Sequence, residues 1–410
     1  MSLTVLVAST PIPAHTLNAT KIVTGLVGAG HRVLWYADAG FAGHVARCGA
    51  KHVVPSTGPA AWHRGTGLAR VRSLYREQVV GQVPDQMRDL AGLGGVDFVV
   101  SDTLLPAAGI HAALHGVPWA TVGDGPLLWW DESTPPFGTG LAPMAGPRGE
   151  GRNRRVQAVI DRVLFAAPVA ALNQLRQQHG LAPVSSIRDA TLSPVLHLQG
   201  CTPGFEYPRD PLPGHVRFVG ALGPGRAYGP EVPEALRRPR ERPLALVTQG
   251  ALRPDVTELV HPACRALVAE GFDVLVAGAA DGGWNRWPGR VTAMERVDYE
   301  DALAEADLFV TNGGYTGVTL ALAAGVPVVQ AGGSEEKPDI GARVAWAGVG
   351  ASIRLTRPPA WLLRRAVARV MTSVERRDAS ARLAAENDAY DAADRSATLL
   401  TALAAHGARR

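Results

Sequence analysis

Short apolar runs alternate with helical patterns along most of this chain, and they do so twice, on either side of a stretch without periodicity. A short run that is apolar throughout is a strand buried on both faces, and such strands joined through helices lie parallel. The first series reads Leu3–Ser9, Val33–Tyr36, Phe98–Ser101, Trp119–Val122, Val195–Leu198 and Val216–Val219, with helices expected at about 18–27 and at Ala107–Leu114. The second reads Leu244–Thr248, Asp273–Ala277, Leu308–Thr311 and Val326–Gln330, with helices at about Val256–Ala269, Tyr299–Ala306 and Val318–Ala324. Between the two, Leu222–Pro243 holds six Pro or Gly residues before Arg237 and a run of Arg after it. From Ala360 to Ala405 the pattern is helical.

A repeated strand–helix–strand unit builds a doubly wound sheet. The 410 residues exceed what one core fills and suit two domains. We therefore expect an α/β protein of two facing Rossmann-like domains with a ligand cleft between them. The expected division is 1–225, a linker over 226–243, and 244–410 with the C-terminal helices. Asp131–Gln178 reads as a Pro/Gly-rich loop, Ser133–Gly151, followed by a basic helical stretch; a long irregular segment in such a domain is usually functional.

Composition closes off several classes. Hydrophobic residues make up 46% and charged residues 19%, which describes a chain that buries a core. The net charge is +4, and the densest basic stretches, Arg148–Arg155 and Arg237–Arg242, are flanked by Pro and Gly without interleaved aromatics. These are solvated loops, so no nucleic-acid partner is expected. Cys48, Cys201 and Cys264 are odd in number and fit neither a metal site nor a disulfide framework. A reducing, cytoplasmic setting is expected. No basic n-region leads an apolar stretch, and no run of about 18 apolar residues occurs, so neither a signal peptide nor a membrane span is expected. Monomer and homodimer both stay open.

Within DLFVTNGGYTGVTLALAAGVPVVQ, residues 307–330, a buried strand runs into Asn312-Gly313-Gly314, and a helix starts within five residues. Glycines there allow close backbone approach, and free amides at a helix N-terminus attract an anion. Such a site can hold a diphosphate without a metal.

The segment AAGVPVVQAGGSEEKPDIGARVAWAGVG, residues 323–350, resembles the donor-binding signature of the family-1 nucleotide-sugar glycosyltransferases of the bacterial natural-product tailoring type. LALVTQGAL, residues 244–252, is similar to the opening of that family's second domain, and RVDYEDALAEADLFVTNGG, residues 296–314, to the segment that holds the base. The resemblance implies the GT-B fold and a nucleotide diphosphate sugar as co-substrate, with neither cofactor nor metal. It implies that Thr248 and Gln249 face the phosphates and that the backbone around Val297 holds the base. Asn312, Gly313, Gly314, Thr316 and Gly317 then form the diphosphate loop, and Glu336 and Lys337 meet the sugar. Three positions depart from the family: Asn312 replaces a common His, Leu320 replaces a Glu that grips the ribose hydroxyls, and Lys337 replaces a Gln. Leu320 brings dTDP into play beside UDP as the carrier.

His15 lies in the segment after the first strand, where the family has its catalytic His, and Asp102 ends the strand Phe98–Ser101, where the partner Asp lies. A neutral His is suited to take the proton of an acceptor hydroxyl at pH 7, and a carboxylate steadies the imidazolium. The expected reaction is therefore inverting transfer by direct displacement, from a dTDP- or UDP-sugar to a hydroxyl of a small natural-product acceptor. Trp62, Trp129 and Trp130 stand in loops of the first half and are candidates for stacking on that acceptor. His111 and His115, at i, i+4, have no third ligand nearby and read as a helix surface pair. The first loop, Ser9–Asn18, has no glycine, which argues against NAD or FAD. A non-catalytic nucleotide-sugar binder and a nucleotide-sugar epimerase on the same fold are the alternatives.

Overall fold

The computed structural model describes residues 2–58, 71–225, 228–250, 253, 255–279 and 282–407, with side chains to 404. Two wholly parallel sheets account for the doubled alternation. The first has seven strands in the order β3-β2-β1-β4-β5-β6-β7: β1 Thr4–Ala8, β2 Arg32–Tyr36, β3 Lys51–Val53, β4 Phe98–Asp102, β5 Trp119–Gly123, β6 Leu196–Gln199 and β7 Val216–Phe218. The second has six, in the order β10-β9-β8-β11-β12-β13: β8 Leu244–Thr248, β9 Asp273–Ala277, β10 Val291–Met294, β11 Leu308–Thr311, β12 Val328–Ala331 and β13 Gly350–Ile353. In each sheet the order reverses once, between β1 and β4 and between β8 and β11. Crevices of doubly wound sheets open at such points, beyond the strand C-termini.

The helix expected at 18–27 is two helices, α1 Pro13–Asn18 and α2 Thr20–Gly28. Pro13 opens α1, where its fixed φ and missing N–H cost nothing. His15 is therefore on a helix and not in a loop. After β4, α3 Pro106–His115 ends on Gly116 at φ 65, a left-handed cap that glycine adopts freely. The basic helical stretch expected after the Pro/Gly-rich loop is one continuous helix, Pro147–Gln178, which begins inside the expected loop and is long and apolar enough to cross a membrane by length and composition alone. Leu164, Phe165 and Leu172 pack it into the core of the first sheet.

In the second half α4 Tyr299–Glu305, α5 Tyr315–Ala323 and α6 Lys337–Trp346 flank the sheet, followed by α7 Val374–Asp388 and α8 Ala392–Gly407. The last of these departs from the expected division. Ala392, Leu400 and Ala404 of α8 bury themselves with Ile22, Val23 and Leu26 of α2, so α8 packs on the first sheet's domain. The approach is close: a Cβ at Gly25 would lie 2.2 Å from the carbonyl oxygen of Ala393. The linker is also anchored. Val232 and Leu236 are buried in the second core, and Asp301 accepts from the amide of Val232 and the guanidinium of Arg237.

Candidate active site

The two reversal points bring the candidate residues together from distant parts of the chain. At the first, β1 leads through Thr10 to α1, which carries His15, while β4 ends on Asp102. His15 Nδ1 lies 3.6 Å from Asp102 Oδ2 and 2.7 Å from Asp124 Oδ2. All three side chains are largely buried. Asp124 follows β5, the strand next to β4, and is a partner the sequence reading missed. Its signal was a second strand-end acid one strand over: Asp102 pairs in register with Val122, two residues before Asp124. The Asp124 contact is an ion pair off the line of the ring N–H. Asp102 accepts from the Thr10 amide at 2.5 Å through Oδ2, and from the Thr10 hydroxyl at 2.8 Å and the Leu104 amide at 2.8 Å through Oδ1.

Burial on its own would lower the pKa of His15. The charges of Asp124 and then Asp102 outweigh it and hold the imidazole well above its usual range. Burial would likewise raise Asp102, but the facing His15 and the Thr10 hydrogen bonds keep its carboxyl below the usual value. With Nδ1 turned to the carboxylates, Nε2 is the ring nitrogen left for a substrate.

At the second reversal point β11 runs into Asn312-Gly313-Gly314 and α5. Gly313 has φ +97, and a Cβ on it would stand 2.7 Å from Gln330 Nε2, so only glycine fits. Gly314 is different: its φ is −64, and the space where a Cβ would go is open. It caps α5 without a side-chain bond, leaving the first-turn amides facing outward as an anion site. Asn312 donates from Nδ2 to the Gln249 carbonyl, which ties this loop to the end of β8.

Several residues expected to face the donor are otherwise occupied. The Gln249 side chain donates to the carbonyls of Arg253 and Asp255 and accepts from the Leu259 amide, so its amide fastens its own loop. Thr248 accepts from the Tyr299 hydroxyl at 3.2 Å. Thr316 donates to Asn18 Oδ1 across the domain boundary at 2.9 Å. Gly317 permits α5 to pack on β11, since a Cβ there would meet the Phe309 ring at 3.1 Å. Val297 is buried, and the linker lies on it: Pro230 accepts from the Asp298 amide. Lys337 pairs with Glu335 and shares a recess with Asn312, Arg253 and Ser334; Glu336 Oε1 is 3.9 Å from its ammonium.

The acceptor candidates gather less well. Trp129 packs edge-on against His215 beside the edge strand β7, and Trp130 lies under Arg188; neither contact involves His15. Trp62 lies outside the described residues. The Pro/Gly-rich loop instead docks on the second domain. Asp339 of α6 accepts from the amides of Gly138 at 2.5 Å and Gly140 at 2.7 Å, and Arg354 donates to the Gly140 carbonyl. His111 is not on the surface: it is buried beside the exposed His115, and burial pushes its pKa down to about 4.

Two parallel-sheet domains with an unshielded helix N-terminus opposite a buried histidine define the class of a GT-B glycosyltransferase. No family model matches the chain. Over 414 residues it is 32% identical to 4'-demethylrebeccamycin synthase of Lentzea aerocolonigenes, covering 96% of this chain and 97% of that one. It is 30% identical to UDP-glycosyltransferase 2 of Phaeomoniella chlamydospora over 358 residues, 80% of this chain and 78% of that one. The fold is shared with the glycosyltransferase VinC, solved in complex with dTDP, at a TM-score of 0.73 and 19% identity over 98% of this chain and all of that one. The chain belongs to the family-1 GT-B glycosyltransferases of the natural-product tailoring type. It is an enzyme that moves a sugar from a nucleotide-sugar donor to a small natural-product acceptor.

Proposed function

We propose that the enzyme inverts the anomeric centre by direct displacement, with His15 as the base and dTDP as the leaving group. The observation that carries this reading is the hydrogen bond between Thr316 and Asn18. Asn18 is three residues beyond His15, and Thr316 two beyond Gly314, so the base and the anion site stand on neighbouring turns of two helices in contact. His15 Nε2 accepts the proton of the acceptor hydroxyl as its oxygen attacks the anomeric carbon. The bond from that carbon to the diphosphate oxygen breaks, and the departing charge falls on the first-turn amides of α5.

Leu320 supports dTDP over UDP. It is buried, and its methyl group stands 3.0 Å from where a Cβ on Gly223 would be. A side chain packed under the start of the linker offers the ribose no hydrogen-bond acceptor, which suits a carrier lacking one sugar hydroxyl. VinC binds dTDP, while the fungal relative is named for UDP.

The test is His15→Ala. It should lower kcat on an alkyl alcohol by about 10²–10⁴-fold, the usual worth of a positioned base. Calorimetry should give an unchanged affinity for dTDP. A phenolic acceptor, already partly ionised, should lose less. Full activity of His15→Ala on the alcohol would reject His15 as the base.

A further inference from the structure

Gln199, the last residue of β6, is fully buried where the two halves of the chain meet, and its amide has three partners. Nε2 donates to the Gly125 carbonyl at 2.8 Å and to the hydroxyl of Tyr315, the first residue of α5, at 2.8 Å. Oε1 faces His197 Nε2 at 3.1 Å. The amide is oriented from behind by the neighbouring strand, where Thr121 pairs in register with His197 and Gly123 with Gln199. The Thr121 hydroxyl accepts from the Ser193 amide at 3.0 Å and lies 2.9 Å from His197 Nδ1. Its own hydrogen therefore goes to Nδ1, and the ring proton sits on Nε2, toward Gln199. Burial keeps this ring neutral by pushing its pKa down to about 4. The fit is tight: a Cβ at Gly123 would stand 2.4 Å from Gln199 Oε1 and 2.7 Å from His197 Nε2. Thr121, His197, Gln199 and Tyr315 thus form one row of hydrogen bonds from inside the first sheet to the donor helix.

The two acceptors of Nε2 belong to opposite sides of the cleft. Gly125 follows Asp124, whose carboxylate lies 2.7 Å from His15. Tyr315 contributes its backbone amide to the first turn of α5, while its ring is buried against Phe205, with ring centres 6.1 Å apart. We propose that Gln199 is a positioning residue for the transfer: it sets the separation between the His15 side of the cleft and the amides that receive the diphosphate, and Tyr315 is the handle by which it holds them. This rests on the α5 amides being the diphosphate site. Direct displacement needs the base, the attacking oxygen, the anomeric carbon and the leaving oxygen in one row. An error in that separation costs rate, and it spares the affinity for a nucleotide whose diphosphate lies on α5. A glutamine suits the task because its two N–H donors share one plane and reach an acceptor on each side.

The experiment compares Gln199→Met, Tyr315→Phe and the double variant in the full chain. The readouts are kcat and KM on an alkyl alcohol, dTDP affinity by calorimetry, and the melting temperature. Each single variant should lower kcat by about tenfold or more, with dTDP affinity within about threefold of wild type. The double variant should lose no more than Gln199→Met by itself, because both substitutions remove the same bond. Gln199→Asn keeps the amide but not its reach, and should behave as Gln199→Met. Wild-type kcat at a lowered melting temperature would make the bond a structural one and overturn the proposal. So would losses that multiply in the double variant, or a loss carried by dTDP affinity in place of kcat. Should Gln199→Met not fold, Tyr315→Phe, which keeps the ring, decides the matter: wild-type kcat overturns the assignment. Wild-type dTDP affinity in Gly314→Val would instead refute the anion site, a result none of these variants mimics.

Discussion

Thr316 donates a 2.9 Å hydrogen bond to Asn18, joining the first turn of the donor helix to the last residue of the helix that carries His15. The family resemblance implies that Thr316 meets the diphosphate, whereas its hydroxyl is spent on the other domain. The two roles predict different kinetics.

Thr316→Val keeps the shape and removes the bridge, leaving Asn18 Oδ1 without its partner. The expected result is a kcat lower by about tenfold from misplaced base and donor, with dTDP affinity within about threefold of wild type. Calorimetry beside steady-state rates checks this. A large loss of affinity at unchanged kcat would return Thr316 to the phosphate.

The two glycines of the donor loop are predicted to fail differently. Gly314→Val has an ordinary φ and open space, so the protein should melt as wild type yet lose measurable affinity for dTDP, because the side chain fills the approach to the amides. Gly313→Val, at φ +97 and against Gln330, should lose stability as well. Equal melting temperatures for the two variants would contradict this.

Activity and stability should run in opposite directions with pH. The folded protein raises the His15 pKa above that of the unfolded chain, near 6.5. The base must be neutral, so kcat/KM should climb as pH rises through the raised value. The proton-linked stabilisation is complete below the unfolded pKa and is lost as pH rises through the folded one. Urea midpoints of wild type and His15→Gln, followed from pH 6 upward, should converge as the rate of the wild type increases.

Arg343 donates to Glu206 from Nε at 2.9 Å and from Nη2 at 2.5 Å, joining α6 to the first half of the chain, and its guanidinium lies 4.2 Å from the Tyr207 ring centre. Arg343→Met leaves Glu206 buried with Arg209 as its remaining cation, 3.3 Å away. We expect a loss of about 3 kcal/mol, read as a lower melting temperature. Arg343→Lys should recover little of it, since a single ammonium cannot supply both bonds or the stacking.

If helix amides take up the diphosphate charge, saturating EDTA should leave turnover nearly unchanged. A loss that Mg²⁺ or Mn²⁺ restores would show that a cation shares the task.

Much of the fold was legible because central strands are buried on both faces. β8, β9 and β11 lie where their apolar runs end, and their order put Asn312 and Thr248 at one crevice. Of the four edge strands, β7 was read from its apolar run, while β3, β10 and β13 were not. One side of each has no strand neighbour, so Lys51, Thr292 and Ser352 interrupt the pattern. Within the site, the family resemblance pointed to His15, Asp102 and the glycines, and the fold brings each of them to the C-terminal side of a sheet. Asp124 was missed because its relation to His15 runs through strand pairing and not through spacing. The engagement of Gln249 with residues 253–260 was hidden for a similar reason: a polar side chain at a strand end looks the same whether it faces a ligand or its own loop. An amphipathic pattern shows that α8 has an apolar face but not what covers it.

That face bears on how the protein comes into being. A chain emerging from the ribosome offers its first half to fold well before its second. Here Ile22, Val23 and Leu26 wait for Leu400 and Ala404. Until α8 has been made, the nascent first domain presents an unfilled apolar trench along α2. Its completion thus waits for α8, and the helix that carries His15, which leads directly into α2, is fully braced only once residues 392–404 have been made.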